Sequence, residues 1–288
     1  MRKLTRRGLF SASSSLMGAA TVVSALPSRI TATGNSSALQ EPSPDDLPEI
    51  HKKKKLKVYF VGAHTDDWLL CAGTLARYTK LGHEVKVISM TPGNSISMAD
   101  VEHMSVEKLA AARREQAVRG TRMIGASIRF LKEDDLKVRV TPEAYQAFNR
   151  LLLPENPDVV FTLWPLSYHP DHRAAGNLAL NAWLQGGLKF ALLYCGNPGG
   201  GEDEGRYFNP NHYVDVESVK DLKKKTWLAN TFDAKSWPRM DLGWQFRGHE
   251  CGCQYAEAFI WMNTRASMPP RNLYPNWWYW GGLRLSHG

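Results

Sequence analysis

Two short stretches carry side chains whose types and spacing could do chemistry. His64-Thr65-Asp66-Asp67 gathers one imidazole and two carboxylates in four residues, and His169-Pro170-Asp171-His172 sets two imidazoles around a carboxylate. Imidazole nitrogen and carboxylate oxygen are the ligands of a catalytic divalent ion that keeps one position open to water. Taken singly, each stretch has a plainer reading. Asp at a helix start is a common N-cap, and Pro-Asp between histidines reads as a turn. Taken together they point to one site, provided the fold brings both to one edge. Two imidazoles and one carboxylate are the donor set of one tetrahedral zinc per chain, and another divalent transition metal would accept the same ligands.

The elements that must position them are legible on either side. Leu56 to Val61 is an apolar, β-rich run, as expected of a strand buried on both faces. After Gly62-Ala63 and the first cluster, Leu69, Leu70, Ala72, Leu75, Ala76 and Leu81 recur at helical spacing. The second cluster repeats the arrangement: strand Pro157 to Leu163, loop Trp164 to His172, helix Ala174 to Leu184. Between them lie a strand over Glu84 to Met90 closed by Thr91-Pro92-Gly93-Asn94, and a helix over 105–124 carrying Arg113 and Arg114. A short strand over Ser127 to Leu131 and a helix opened by Thr141-Pro142 follow. Beyond them are strands over Phe190 to Tyr194 and His212 to Val216, a charged helix from Glu217 to about Asn230, and a last strand over Tyr255 to Trp261; residues 233–254 read as a polar-aromatic loop. This alternation predicts an α/β fold: a single domain with a doubly wound, mostly parallel Rossmann-like sheet and helices on both faces. Such sheets bind ligands at the carboxyl ends of their strands, where both clusters fall.

The formal charge of +8 comes largely from the N-terminus. Residues 1–33 hold five cations and no acids; the remainder has 31 cations against 28 acids. A body this balanced predicts no nucleic-acid partner, and Lys52 to Lys55 read as part of a solvated linker. Thr5-Arg6-Arg7-Gly8-Leu9-Phe10 and the Ser/Ala-rich segment after it resemble a bacterial twin-arginine export signal, so the expected location is periplasmic or extracellular. The segment is too short and too weakly apolar for a stable membrane anchor. The expected layout is an export signal over 1–33, a disordered linker over 34–55, a catalytic domain over 56–265 and an aromatic tail over 266–288. The tail, with Trp277, Trp278, Tyr279 and Trp280, reads as a packing clasp before a sugar-stacking surface. Cys71, Cys195, Cys251 and Cys253 are too few for a disulfide framework. The first βα turn lacks GxGxxG, and the run Gly196 to Gly201 is not followed by Lys-Ser, which disfavours a nucleotide site.

With both clusters in place the sequence resembles the PIG-L/LmbE-like zinc-dependent de-N-acetylases, whose signature is Ala-His-Pro-Asp-Asp-Glu with a later His-Pro-Asp-His. Here the stretches are Ala63-His64-Thr65-Asp66-Asp67-Trp68 and His169-Pro170-Asp171-His172, and the likeness spans roughly 56–262. It takes in Thr91-Pro92-Gly93, the arginine helix, Val214-Asp215-Val216 with its Lys-rich helix, and Ala256-Glu257-Ala258-Phe259. The resemblance implies that His64, Asp67 and His172 hold zinc and that Asp66 is the general base. It implies that His169 stabilises the oxyanion, that Asp171 orients His169, and that Arg113 contacts substrate. Arg114 is close enough to leave that last register open, and either arginine could be an exposed helix charge. Trp68 and Gln116 stand where the family carries acids, and Ser167 where some relatives carry Tyr, which bears on how the metal's surroundings are tuned.

The expected function is removal of an N-acetyl or other N-acyl group from an amino-sugar-like small molecule or glycan. Metal chemistry fits the absence of any need for a Ser or Cys nucleophile. Two rivals stand beside it: an amidase acting on a bulkier amide by the same chemistry, and an exported, non-catalytic carbohydrate-binding protein using the aromatic tail and Trp68.

Overall fold

The computed structural model describes residues 55–198 and 208–262, with the backbone of 278–280 and 283–284. The expected export signal, nearly all of the linker and the glycine run from 199 onward lie outside the described residues.

Five strands form the parallel half of the sheet: β1 (Lys57–Gly62), β2 (Glu84–Ser89), β3 (Ser127–Phe130), β4 (Val159–Leu163) and β5 (Ala191–Cys195), in the order β3-β2-β1-β4-β5. Each of β1, β4 and β5 is buried along almost its whole length, which is why they read as continuous apolar runs rather than alternating ones. The register aligns their carboxyl ends, with Gly62 opposite Ser89 and Val61 opposite Thr162. The chain travels outward from β1 to β3 and then returns to the other side as β4. The crevice between β1 and β4 is therefore the point where the strand order reverses, where such sheets place their ligands.

Helices α1 (Ala72–Lys80), α2 (Ile96–Val101), α3 (Val106–Met123), α4 (Pro142–Leu152) and α5 (Pro170–Gln185) form the crossovers. α1 and α3 pack with α6 (Lys220–Ala229) in one layer, while α4 and α5 pair in another, α5 lying on β1 and β4. Antiparallel strands widen the sheet beyond β5: β6 (His212–Asp215) and β7 (Ala256–Trp261) run in the order β5-β7-β6. In the tail, the backbone of Trp278–Trp280 pairs antiparallel with β6 and that of Leu283–Arg284 continues the sheet.

One expected loop is a helix. α7 (Trp237–Cys251) occupies most of 233–254, with Pro238 in its first turn and Gly252 in the left-handed region at its end. Its buried stripe is Trp237, Met240, Gly243, Trp244, Gly248 and Cys251. The two glycines hide the stripe from a hydropathy reading and lower helix propensity, but packing needs Gly243, where a Cβ would lie 2.2 Å from the Pro198 carbonyl oxygen.

A buried ion pair secures the elements behind the first cluster. Lys223 of α6 meets Glu257 of β7, both essentially inaccessible. Lys223 Nζ donates to the carbonyls of Leu69 (3.0 Å) and Leu70 (3.3 Å) and lies 3.6 Å from the Trp244 ring centre. Glu257 accepts from the amides of Gly73 and Thr74 at 2.9 and 2.8 Å, the donors that open α1. Three elements distant in sequence thereby fix the turn that follows Asp67.

Candidate active site

The two clusters meet. Residues 63–66 leave the end of β1 and enter a single 3₁₀ turn at Asp67, while His169 caps the N-terminus of α5 beyond β4. His64 Nδ1 lies 3.2 Å from His172 Nε2 and 3.6 Å from Asp67 Oδ1, and His172 Nε2 lies 3.3 Å from Asp67 Oδ1. Ligands about 2.0–2.2 Å from a tetrahedral ion sit about 3.3–3.6 Å from one another. The three donor atoms therefore already have the mutual spacing that one such ion demands. The other oxygen of Asp67 is taken, accepting the His64 amide at 2.7 Å, so only Oδ1 faces the histidines. Gly62 allows this close turn, since a Cβ there would lie 2.9 Å from Asp67 Cβ.

The outward nitrogens of both histidines are also engaged, as metal-binding imidazoles require. His64 Nε2 faces Asp135 Oδ1 at 3.2 Å and Asp171 Oδ2 at 3.3 Å; His172 Nδ1 lies 3.3 Å from Ser167 Oγ. Burial disfavours a charged His64, yet Asp67, Asp135 and Asp171 together hold its proton well above the ordinary imidazole range. Burial likewise works against ionised Asp67, and the two histidines overcome it and hold that carboxyl well below its usual range. With Asp66 and Asp233 also lining the cavity, this is an anionic nest with few fixed cations, a charge balance suited to a bound cation.

Asp171 is fully buried, and its carboxylate does a different task from the one the resemblance implies. Oδ2 accepts from His64 Nε2 and from the Leu136 amide (2.6 Å), and Oδ1 from the Val138 amide (3.2 Å). The contact with His169 is instead made by the Asp171 backbone, whose N–H donates to His169 Nδ1 at 3.3 Å. Asp171 therefore orients His64 and ties down the loop after β3, whose Leu136 is held at φ +64. His169 stands edge-on to His64, ring centres 4.6 Å apart, and 4.7 Å from His172. Burial and the neighbouring histidines lower its affinity for a proton. With Nδ1 accepting, its neutral form carries the hydrogen on Nε2.

Arg113 is buried rather than an exposed helix charge, while Arg114 is exposed. Its Nε donates to Thr65 Oγ1 at 3.2 Å and its Nη2 lies 2.8 Å from Asp66 Oδ1. Trp68 is equally inward: its indole N–H donates to the Thr65 carbonyl at 2.9 Å and its ring packs beside Gly120 of α3. The bulk in place of an acid thus wedges the cluster loop against α3.

Two site residues escape sequence reading. Asp135 follows β3 at the same rim as the clusters, and the acid pair Asp134-Asp135 was the available signal; Asn94, from the turn after β2, accepts the Asp135 amide at 3.0 Å. Asp233 sits in the turn between α6 and α7, where no strand end marks it. These residues line a cavity of about 690 Å³, whose walls include Met98, Asn197, Trp227, Phe232, Ser236, Arg239 and Met240. At its mouth Val101, Leu136 and Tyr168 are 74%, 61% and 61% exposed.

Known proteins share this architecture. Residues 59–183 match the family model for PIG-L, GlcNAc-PI de-N-acetylase. A diacetylchitobiose deacetylase of Thermococcus kodakarensis is 30% identical over a 178-residue alignment that covers 58% of this chain and 66%, just short of two thirds, of that relative. The structure of the N,N'-diacetylchitobiose deacetylase from Pyrococcus horikoshii aligns over 75% of this chain and 90% of its own with a TM-score of 0.61 and 25% identity. The 4-carboxy-2-hydroxymuconate hydratase GalB of Pseudomonas putida KT2440 aligns over 75% of this chain and 99% of its own with a TM-score of 0.65 at 20% identity. That last likeness establishes the fold alone. Since a hydratase and a deacetylase share it, the chemistry has to be argued from the site.

Proposed function

We propose that this chain, whose residues 59–183 match the PIG-L family model, is a metal-dependent hydrolase that removes an N-acetyl group from an amino-sugar substrate. The observation that carries the reading is the convergence of His64 Nδ1, Asp67 Oδ1 and His172 Nε2 at 3.2–3.6 Å beside Asp66, at the base of the cavity. The names of the Thermococcus and Pyrococcus relatives support an N-acetylated sugar as the substrate class. A cavity of about 690 Å³ lies within the range of pockets that enclose small ligands, about 300–1,000 Å³.

His64, Asp67 and His172 would hold the ion, and zinc is the ion that donor set favours. Bound there, it would supply polarisation of the amide carbonyl and a lowered pKa for water. The remaining work falls to the chain. Asp66, braced by Arg113, takes a proton from the attacking water and delivers it to the departing amine nitrogen, so amide and water become amine and acetate. His169, with hydrogen on Nε2, faces the cavity as a neutral donor to the oxygen on which charge develops. Trp227 and Phe232 offer apolar walls, and Asn197, Ser236 and Arg239 offer hydrogen bonds to a sugar.

The test is acetate release from a panel of N-acetylated amino sugars, with the ion identified by elemental analysis. Activity should vanish on chelation and return with the ion, and Asp66→Asn should keep the ion while losing turnover. A protein that binds no divalent ion, or an Asp66→Asn variant with full activity, would remove the reading. A bulkier acyl group is the second reading, favoured by exposed Val101, Leu136 and Tyr168 at the mouth. Rates that rise with acyl chain length would select it.

A further inference from the structure

The first turn of α7 lines the cavity through Arg239 and Met240; at the helix's other end, Cys251-Gly252-Cys253 puts two free thiols in contact, 3.4 Å between sulfurs. The turn itself brings them together. Gly252 lies in the left-handed region at φ +79, and the Cys253 amide donates to the Gly248 carbonyl at 2.9 Å. A Cβ at Gly252 would meet nothing within 4 Å, so the glycine serves the backbone conformation and not close packing. Cys251 is buried against Tyr213 and Ala256, while Cys253 is half-buried at the edge of the same cluster. A disulfide is about 2.05 Å long, so the sulfurs must approach by about 1.4 Å, within reach of rotation about the two Cα–Cβ bonds. We propose that Cys251 and Cys253 are a redox modification site, at which a small-molecule disulfide of the glutathione class closes the dithiol into an intrachain disulfide. The site is independent of the hydrolase reading.

The two thiols are unequal, and the inequality sets the order of events. The Cys251 S–H has two acceptors in reach, the Cys253 sulfur and the Gly248 carbonyl, both at 3.4 Å. Its hydrogen bond to Cys253 holds that thiol below its ordinary range, against burial and the charges of Asp215 and Glu217. The same contact, and then burial, keep the proton on Cys251. Cys253, the more accessible and more acidic thiol, is therefore the one that attacks. Its thiolate takes one sulfur of the oxidant, forming a mixed disulfide and expelling one thiol. Cys251 then attacks the Cys253 sulfur and expels the second. One S–S bond of the oxidant is reduced, one S–S bond forms in the protein, and the two cysteine protons leave on the released thiols. The new bond would lock the corner from which β7 runs on to Glu257, the residue that holds the start of α1. Cys71 and Cys195 lie in the main core, out of an oxidant's reach.

The test incubates the folded full chain in glutathione buffers of rising oxidised fraction, blocks remaining thiols by alkylation, and weighs the tryptic peptides. Cleavage after Arg247 and Arg265 leaves Cys251 and Cys253 together on one peptide, with Cys71 and Cys195 each on another. The peptide over 248–265 should lose two hydrogens and escape alkylation, while the other two cysteine peptides stay reduced. In Cys251→Ser the reaction should stop at a mixed disulfide, with one glutathione retained on Cys253. In Cys253→Ser the buried Cys251 should stay unmodified. A wild-type peptide that keeps two free thiols in fully oxidised buffer would overturn the proposal, as would one that retains glutathione without closing, or that links only to a second chain. Reaction of Cys251 in Cys253→Ser at the wild-type rate would overturn the order of attack. The wild-type peptide decides the matter even if a serine variant fails to fold.

Discussion

Asp171→Asn separates two accounts of the second cluster. In the structure the Asp171 carboxylate accepts three hydrogen bonds, from His64 Nε2, the Leu136 amide and the Val138 amide, and is fully buried. Asparagine has the same shape but only one acceptor oxygen. If that oxygen stays with His64 and Leu136, the new NH₂ group confronts the Val138 amide; if it turns, it confronts the other two donors. In either orientation at least one charge-assisted bond becomes a clash of donors, at a cost of about 1.5–3 kcal/mol. For a chain of this size the melting temperature should fall by roughly 3–10 °C.

The ion should feel the change as well. Loss of an outer partner of a metal-binding histidine typically weakens metal binding about 10–100-fold, and competition against a chelator with known affinity for the ion measures it. The alternative role, orienting His169, predicts something different: wild-type ion affinity with reduced kcat, because His169 is not one of the three ligands in the proposed reading. Wild-type ion affinity in Asp171→Asn, with the melting temperature lowered or not, would refute the reasoning from His64.

Two further outcomes follow from buried charge. Lys223→Met leaves Glu257 ionised in the core with only two backbone donors, and should cost about 3–5 kcal/mol by urea denaturation; replacing Glu257 by Gln in the same chain should recover part of the loss. His212, fully buried in β6 against Trp261, has its pKa pushed down to about 3 by burial. Between pH 6.5 and 3 the unfolded chain takes a proton there that the folded chain refuses. Stability should therefore fall with pH across that window, by up to about 1.4 kcal/mol per unit and about 5 kcal/mol in all. The stability gap between wild type and His212→Gln, followed by urea midpoints from pH 7 to 3, should change across this window, and parallel curves would refute the assignment.

The parallel half of the fold was legible because its strands are buried on both faces and its crossovers begin with strong local signals, such as Thr141-Pro142 before α4. Those signals are short-range, and β1 to β5 follow them closely. The antiparallel extension obeyed weaker cues. α7 was missed because Gly243 and Gly248, which read as helix breakers, are the residues that let the helix approach Pro198 and the Gln254–Tyr255 backbone. Tertiary packing outweighed local propensity there. Lys223 shows the same limit: in sequence it is one cation in a lysine-rich helix, and only the position of Glu257, thirty-four residues later, makes it a core residue.

At the site, what sequence could supply was which side chains converge, since both motifs sit at strand ends whose common rim follows from the topology. What it could not supply was how the surrounding carboxylates divide their tasks. Asp171 lies two residues from His169 in sequence and 107 from His64, yet its carboxylate goes to the distant imidazole because the N-cap turn of α5 spends the Asp171 backbone, and not its side chain, on His169. Asp135 and Asp233 enter from turns that no motif marks; both line the cavity, and Asp135 faces His64 at 3.2 Å. The consequence is that His64 is held by carboxylates from two different segments, Asp135 after β3 and Asp171 of α5. On the proposed reading, changes at Asp135 or Asp171 should act on ion binding through His64, an arrangement that neither cluster contains by itself.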